Sequence, residues 1–287
     1  MDSCRQSQEG RGFECSADSR DTDKRPPLTI TPAFHAKTNM RNIKLLLEYE
    51  GTAYVGWQVQ PGLPTIQETI QDRLKKMTGE DADLIAAGRT DSGVHAKGQV
   101  CNFTTASRIP AISIRKGLNR LLPEDIVVKD AMDVDEGFNA RTDACSKTYQ
   151  YLIFNRDYPS SFYRRFSWFI RQPLDIAEMR EGAKILTGKK DFSSFRGAGC
   201  GSSHAVRNIK SITIDRNPEG LLKVRVQGYA FLRHMVRIMV GTLVTLGRGK
   251  IAVADLKEIV EAKDRTTAGL TAPPQGLFLE EVEYGVG

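Results

Sequence analysis

The 287-residue sequence lacks several features that would assign it at once to a class of protein. No apolar run reaches the roughly 18–20 residues of a membrane span, and the nearest candidate, 231–246, is interrupted by Arg233, His234 and Arg237. No two of the five cysteines have the Cys-x-x-Cys spacing of a zinc site. The glycine-rich stretch 197–201 lacks the GK[ST] of a nucleotide-binding loop. These absences argue against a membrane protein, a zinc protein and a P-loop protein.

Residues 1–40 have little apolar content and contain no hydrophobic stretch of a secretory signal. They are charged, poor in large apolar side chains and interrupted by Pro26-Pro27, a composition typical of a disordered leader. The odd number of scattered cysteines fits reduced thiols rather than a disulfide framework. We therefore expect a cytoplasmic protein that holds no metal and does not enter a membrane.

The net charge of +6 belongs to the part of the chain after this segment, because residues 1–40 carry six basic and six acidic side chains. A basic folded domain suggests a polyanionic partner such as RNA, since binding phosphates releases their counterions. Many proteins that bind no nucleic acid are equally basic, so the charge alone does not decide the matter.

Strand and helix patterns alternate along the rest of the chain. Strands are predicted at 43–49, 125–132, 147–155, 211–215, 221–227 and 277–284. Helices are predicted after the capping boxes that begin at Thr65 and Asp175, along the apolar stripe 232–246, and at 253–262. This order predicts an α/β domain of two similar halves, 41–146 and 147–287.

The densest cluster of reactive residues is GRTDSGVHA at 88–96. Two glycines allow a tight loop, and Arg89 and Asp91 project to the same side if the segment is extended. A neighbouring guanidinium favours the ionised carboxylate that a nucleophile or general base requires. Two other interpretations remain open: Asp91 is a turn or capping residue, or it forms a hydrolase triad with Ser92 and His95, although the G-x-S-x-G elbow is missing.

This segment resembles the GRTDxGVHA signature of the tRNA pseudouridine synthase A family. Further segments resemble other motifs of that family in the same order along the chain: AYVGWQVQ at 53–60, KTYQY at 147–151, DFSSFR at 191–196, FLRHMVR at 231–237 and GLFL at 276–279. The resemblance covers about residues 42–284, and residues 1–40 have no counterpart in it.

The resemblance implies the pseudouridine synthase fold, an α/β architecture with a central, mostly antiparallel sheet, flanking helices and a catalytic cleft between the two halves. It also implies a reaction in which the C1′–N1 bond of a uridine breaks and C5 then bonds to C1′. It implies that Asp91 is the catalytic carboxylate and that no cofactor is needed. Arg89 is expected to pair with Asp91 and to fill the space left by the extruded base. Tyr149 is expected beside the uracil, Arg237 near Asp91, and Leu277 in the wall of the pocket. A charge on the apolar stripe needs a partner if it is buried, which favours a pair between Arg237 and Asp91; alternatively, Arg233 and Arg237 form the solvated edge of the helix. Tyr149 and Leu277 can equally be ordinary core residues.

The resemblance also implies the substrate, uridines at positions 38 to 40 in the anticodon stem-loop of tRNA, and a homodimer that shares one tRNA. Six basic residues are candidate phosphate contacts: Arg164, Arg165, Lys189, Lys190, Arg196 and Arg207. Two alternatives remain. The chain is a related synthase acting on other RNA uridines, or an RNA-binding protein without chemistry.

Overall fold

A computed structural model describes residues 40–285. The predicted disordered leader therefore lies outside the described residues, apart from Met40. Ten strands occur in the described part: β1 Arg41–Tyr49, β2 Ile85–Ala86, β3 His95–Thr105, β4 Ile126–Val134, β5 Ala144–Asn155, β6 Trp168–Ile170, β7 Gly188–Asp191, β8 Val206–Arg216, β9 Leu221–Gly228 and β10 Leu277–Tyr284. The same part has five α-helices: α1 Ile66–Thr78, α2 Ala111–Leu121, α3 Ile176–Ile185, α4 Met235–Gly247 and α5 Val253–Ala262.

The strands form one mixed sheet in the order β4-β1-β3-β10-β5-β9-β8-β7, with β2 beside β3 and β6 beside β5. Along this order every neighbouring pair is antiparallel except β3 and β10, which run parallel with Phe278 opposite His95 and Leu279 opposite Ala96. The predicted fold class, an α/β protein with a mostly antiparallel central sheet, is confirmed.

The last strand joins two groups of strands. Those from the first part of the chain, β1 to β4, lie on one side of β10, and β5 to β9 lie on the other. The boundary predicted at residue 147 falls inside β5, and the similarity of the halves 41–146 and 147–287 stays a prediction.

Helix α1 shows how local sequence sets the boundaries of an element. The Thr65 hydroxyl accepts a hydrogen bond from the backbone N–H of Glu68 at 3.4 Å and so caps the first turn. Ile66, Ile70 and Leu74 are buried at helical spacing, and Gly79 ends the helix in the left-handed conformation, with φ +75°. The helix predicted from the capping box and its apolar stripe is confirmed.

Helix α4 is apolar nearly all round, and eleven of its residues are buried. A helix of this composition belongs in a core, and α4 packs against α3 and against Leu270 through the bare backbone of Gly241. Arg237 is one of its few partly exposed side chains, so the helix presents one cation at its edge. No helix of the described residues is both long and apolar enough to cross a bilayer.

Candidate active site

The loop that carries Asp91 is fixed by its own backbone. Asp91 forms an isolated antiparallel bridge with Gly56, and the Trp57 N–H donates to the carbonyl of Thr90 at 3.1 Å. Gly56 has φ +108°, and a Cβ there would lie only 2.6 Å from the Thr90 carbonyl oxygen. Only glycine fits this close approach, so Gly56 sets the position of the loop.

A buried hydrogen-bond network connects the loop to Tyr49 of β1 and Gln99 of β3. The Tyr49 hydroxyl and the Thr90 hydroxyl are 2.8 Å apart, and the Gln99 amide donates to the Gly88 carbonyl at 2.7 Å. Gln99 also lies 3.4 Å from the Tyr49 hydroxyl, which links the two contacts. Burial raises the pKa of Tyr49, so this hydroxyl stays protonated. Such a network in a region of low dielectric fixes side-chain and loop positions.

The carboxylate of Asp91 faces two cationic or ionisable groups. The guanidinium of Arg237 lies 3.6 Å from Asp91 Oδ2, with side-chain exposures of 13% and 27%. Arg237 Nε donates to the carbonyl of Ala272 at 2.7 Å, and this bond fixes the guanidinium. The pairing expected from a charge on an apolar helix is therefore formed. The cap interpretation is not supported, because within residues 40–285 the Asp91 carboxylate accepts no hydrogen bond from a backbone N–H.

The second group, His234, was not predicted from the sequence. Its Nε2 lies 3.7 Å from Asp91 Oδ2, and it precedes α4 in the left-handed conformation, with φ 59°. Burial lowers its pKa, and the guanidinium groups of Arg237 and Arg233 lower it further, although Asp91 acts in the opposite direction. The imidazole is therefore neutral at neutral pH. Its place three residues before Arg237 in FLRHMVR is the signal that could have indicated it.

Tyr149 lies on β5 close to the same loop. It is buried, its ring meets that of Phe231 edge-on at 5.0 Å between centroids, and its hydroxyl lies 3.7 Å from the position of a Cβ on Gly88. Burial raises the pKa of Tyr149, with smaller contributions from Tyr49 and Asp91. Its hydroxyl makes no hydrogen bond with a described residue and is thus available to a ligand.

Leu277 is buried at the start of β10, opposite Tyr151 on β5. Tyr149 pairs instead with Leu279, one step further along the same two strands. The Tyr151 hydroxyl donates to the carbonyl of Pro273 at 2.7 Å. Leu277 therefore belongs to the apolar layer beside the site, and its role as a pocket wall stays a prediction.

Arg89 requires a correction. The predicted ion pair between Arg89 and Asp91 is absent among residues 40–285, where Asp91 faces Arg237 and His234 instead. The expectation assumed an extended segment, but residues 87–90 form no strand, so alternation does not place the two side chains on one side. Arg89 is exposed, and its role in substrate binding stays a prediction.

The hydrolase interpretation is excluded by the geometry. His95 is 1% exposed, its Nδ1 accepts a hydrogen bond from the Gly51 N–H at 3.1 Å, and its ring stacks on Phe278. The Ser92 hydroxyl points to the carbonyl of Tyr54, at 3.4 Å. Asp91, Ser92 and His95 therefore do not form a triad.

Four of the six candidate phosphate contacts are exposed or lie in strands at the surface. Arg164 and Lys189 are exposed. Arg165 is exposed and forms an ion pair with Glu50. Lys190 is partly buried and donates to the Thr187 carbonyl at 2.6 Å. Their contacts with RNA stay predictions.

Arg196 and Arg207 hold a loop together, and their contacts with RNA stay predictions. Arg196 donates to the carbonyls of Cys200 and Ser202, at 2.8 and 2.5 Å. Arg207 donates to the carbonyls of His204 and Val206 and to the Ser202 hydroxyl. Burial lowers the pKa of Arg207, and Arg196 contributes in the same direction. Both guanidinium groups thus stabilise the segment 196–207, which is a structural role that sequence reasoning did not assign.

The described residues contain no group of three His, Cys, Asp or Glu side chains placed to hold a metal ion. What the site does contain is one partly exposed carboxylate, a guanidinium fixed by a backbone carbonyl, a neutral imidazole and a buried tyrosine.

Residues 46–143 and 183–285 match the tRNA pseudouridine synthase family. The matched segments contain Asp91, His234, Arg237 and Leu277, and Tyr149 lies between them. Together with the mixed, mostly antiparallel sheet, this match defines the class of protein: an isomerase with the pseudouridine synthase fold.

Individual relatives narrow the class further. The chain is 45% identical over 245 residues to tRNA pseudouridine synthase A of Thermoanaerobacter sp. (strain X514), covering 85% of this chain and all of that protein. It is 46% identical over 245 residues to tRNA pseudouridine synthase A of Geobacter sulfurreducens, with the same coverage. The protein of that name from Myxococcus xanthus is 45% identical over 86% of this chain and 94% of its own length. The chain belongs to the tRNA pseudouridine synthase family.

Proposed function

We propose that the protein isomerises uridine to pseudouridine at positions 38 to 40 in the anticodon stem-loop of tRNA, with Asp91 as the catalytic carboxylate. One observation carries the proposal. The Asp91 side chain is partly exposed and its Oδ2 lies within 4 Å of Arg237 and His234, while the Tyr149 hydroxyl borders the same loop. The relatives named tRNA pseudouridine synthase A support tRNA as the substrate.

The reaction leaves the composition of the nucleotide unchanged. The C1′–N1 bond breaks, the uracil turns over, and C5 bonds to C1′; C5 then loses its proton and N1 gains one. Asp91 serves this sequence in one of two ways: it attacks the sugar or the base as a nucleophile, or it moves a proton on the sugar. Arg237 stabilises the ionised carboxylate that both routes require.

The other residues act on the substrate. The target base leaves its stack at a cost of a few kcal/mol, and Arg89, exposed beside the loop, fills the vacated space. Tyr149 contacts the extruded uracil, and Leu277 contributes to the apolar wall behind it. Arg164, Arg165 and the lysines at 189–190 contact backbone phosphates, so recognition depends on shape and backbone more than on sequence.

We further propose a cytoplasmic homodimer that shares one tRNA between its subunits. The three cysteines in the described part of the chain, Cys101, Cys145 and Cys200, are unpaired, as is usual in a reducing compartment.

The test is incubation of the purified protein with an unmodified tRNA transcript, without added metal or cofactor and with a chelator present, followed by mapping of pseudouridine positions. Product at positions 38 to 40 supports the proposal. Product at other uridines supports a related specificity instead, and tight binding without any product supports an RNA-binding protein.

Two variants separate the roles of neighbouring residues in the loop. Asp91→Asn is expected to bind tRNA normally and form no product, because the amide is neither a nucleophile nor a base. Ser92→Ala is the matched control and is expected to keep its activity, since the Ser92 hydroxyl donates to the Tyr54 carbonyl and not to Asp91. Normal turnover by Asp91→Asn would refute the assigned role.

A further inference from the structure

A nearly buried lysine without a counter-charge lies beside the catalytic loop. Lys147 is 8% exposed and stands on β5 two residues before Tyr149, so the two side chains share a face of the sheet. A Cβ on Gly88 would lie 3.7 Å from Lys147 Cε and 3.7 Å from the Tyr149 hydroxyl. Gly88 therefore borders both side chains at the beginning of the loop that presents Asp91.

The ammonium of Lys147 has no acidic partner. Within residues 40–285 it forms no hydrogen bond and no ion pair, and its nitrogen is not among the fully enclosed polar atoms without a partner. It therefore faces open space from an otherwise buried stem. A lysine this buried normally carries a paired charge.

The charged group that acts on the pKa of Lys147 has the same sign. Burial lowers the pKa of Lys147, and the exposed guanidinium of Arg141 lowers it further. A desolvated ammonium without an acidic partner attracts an anion, because a bound anion relieves both the desolvation and the repulsion from Arg141.

We propose that Lys147, with Arg141 at the rim, binds the backbone phosphate next to the target uridine. This inference rests on the proposed function, since it takes RNA as the ligand. Two residues along a strand cover about 6.6 Å, a step comparable to the separation between the base of a nucleotide and a phosphate that flanks it. Tyr149 at the base and Lys147 at the phosphate would thus hold both ends of the extruded nucleotide while Asp91 acts at the sugar between them.

The chemistry of the two cations suits this ligand. Lysine binds phosphate as a compact point charge without a fixed hydrogen-bond geometry, which tolerates the rotation of a nucleotide during extrusion. A phosphate contact also positions the backbone without reading sequence, as expected for an enzyme that modifies several neighbouring uridines.

The first experiment compares Lys147→Met with Lys223→Met. Lys223 lies on β9 on the opposite face of the sheet, so the control removes the same charge away from the loop. Binding of tRNA is measured between low and high salt, with Asp91→Asn as the parent so that no chemistry intervenes. Lys147→Met is expected to weaken binding about tenfold and to reduce the slope of log K against log[salt] by about one, while Lys223→Met changes neither.

The second experiment locates the phosphate. Anticodon stem-loop RNAs carry one neutral methylphosphonate at each backbone position near the target uridine in turn. Where Lys147 contacts the replaced phosphate, the parent loses affinity and Lys147→Met loses no more, because the two changes remove one interaction. Losses that add at every position, or an unchanged salt slope, would overturn the proposal.

Two further measurements distinguish the phosphate site from a structural role of Lys147 and from a failure of the proposed reaction. Removing an unpaired buried charge should leave the melting temperature equal or higher, so a Lys147→Met protein that melts several degrees lower assigns the lysine a structural role and overturns the proposal. If the wild-type protein forms no pseudouridine but its tRNA binding still depends on Lys147 at one phosphate, the proposed reaction fails and the phosphate site stands.

Discussion

The ion pair between Arg237 and Asp91 allows a quantitative prediction about the rate of turnover. The perturbation is Arg237→Met, which removes the guanidinium and keeps an unbranched apolar side chain at the edge of α4. At the observed 3.6 Å, two unit charges attract by roughly 4–5 kcal/mol at an effective dielectric constant of about 20. The 27% exposure of the Asp91 side chain admits water that screens the pair, so about 2 kcal/mol is a better expectation for the net support.

This support holds the carboxylate of Asp91 in place at the reaction centre. If all of it acts on the rate-determining step, its loss slows a single turnover by about thirtyfold, since each 1.36 kcal/mol corresponds to a factor of ten in rate.

The assay is single-turnover pseudouridine formation at pH 7.5, with wild type, Arg237→Met and Arg237→Lys. The lysine variant keeps the positive charge but cannot keep both the Ala272 hydrogen bond and the contact with Asp91, so an intermediate rate is expected. Near-UV circular dichroism controls for unfolding. An Arg237→Met rate equal to the wild-type rate would refute the role given to the guanidinium.

Three other predictions follow from the same region. Gly56→Ala should destabilise the protein by about 2 kcal/mol or more in chemical unfolding and abolish turnover, because φ +108° and the Thr90 carbonyl leave no place for a Cβ; Gly62→Ala, with a positive φ but open space, should cost less and leave turnover intact. Tyr49→Phe should lower the free energy of unfolding by about 1–3 kcal/mol, because the buried Thr90 hydroxyl loses its 2.8 Å partner. Turnover should fall more than tRNA affinity. Turnover equal to that of the wild type would show that the network does not position the loop. Burial lowers the pKa of His95 below 6.5, so the unfolded state takes up the proton first and the protein should lose at most about 1.4 kcal/mol of stability per pH unit below that value. Urea titrations of wild type and His95→Gln at pH 5 and pH 7.5 check this. Equal pH slopes in the two proteins would contradict it.

Much of the fold follows from local sequence signals. The capping residues Thr65 and Asp175 begin α1 and α3 where predicted, and α5 and β10 have the predicted bounds. These elements carry strong signals: side-chain caps, helical or alternating apolar patterns, and glycine at the ends. The whole-sheet order depends on long-range pairing, which local patterns do not contain.

Helix α2, which was missed, and the start of α4, which was misplaced, lack such signals. Helix α2 follows Pro110 without a side-chain cap and contains Gly117, whose bare backbone allows Met77 of α1 to pack closely. Helix α4 begins at Met235 rather than at Leu232, because His234 adopts the left-handed conformation. In both cases tertiary contacts determine the backbone.

The site was predictable to a similar extent. A charged residue on an apolar helix needs a partner, and this requirement predicted a pair between Arg237 and Asp91. The structure places the two side chains beside each other. The pair with Arg89 failed, because alternation holds only in a strand. His234 and Lys147 gave no distinct signal, since a histidine before a helix and a lysine in a strand acquire their significance only when the elements meet.

The parallel pairing of β10 with β3 has a consequence for biosynthesis. The strand that carries Tyr149 and the loop that carries Asp91 belong to two different groups of strands. Among residues 40–285, only 277–284 connect these groups directly within the sheet. This segment must therefore be synthesised before the two groups of strands can assemble into the site. The pairing of β10 with the distant strand β3 is non-local, and such pairing is a slow step in folding. Nascent chains that already expose basic surface would therefore not modify RNA until β10 has been inserted into the sheet.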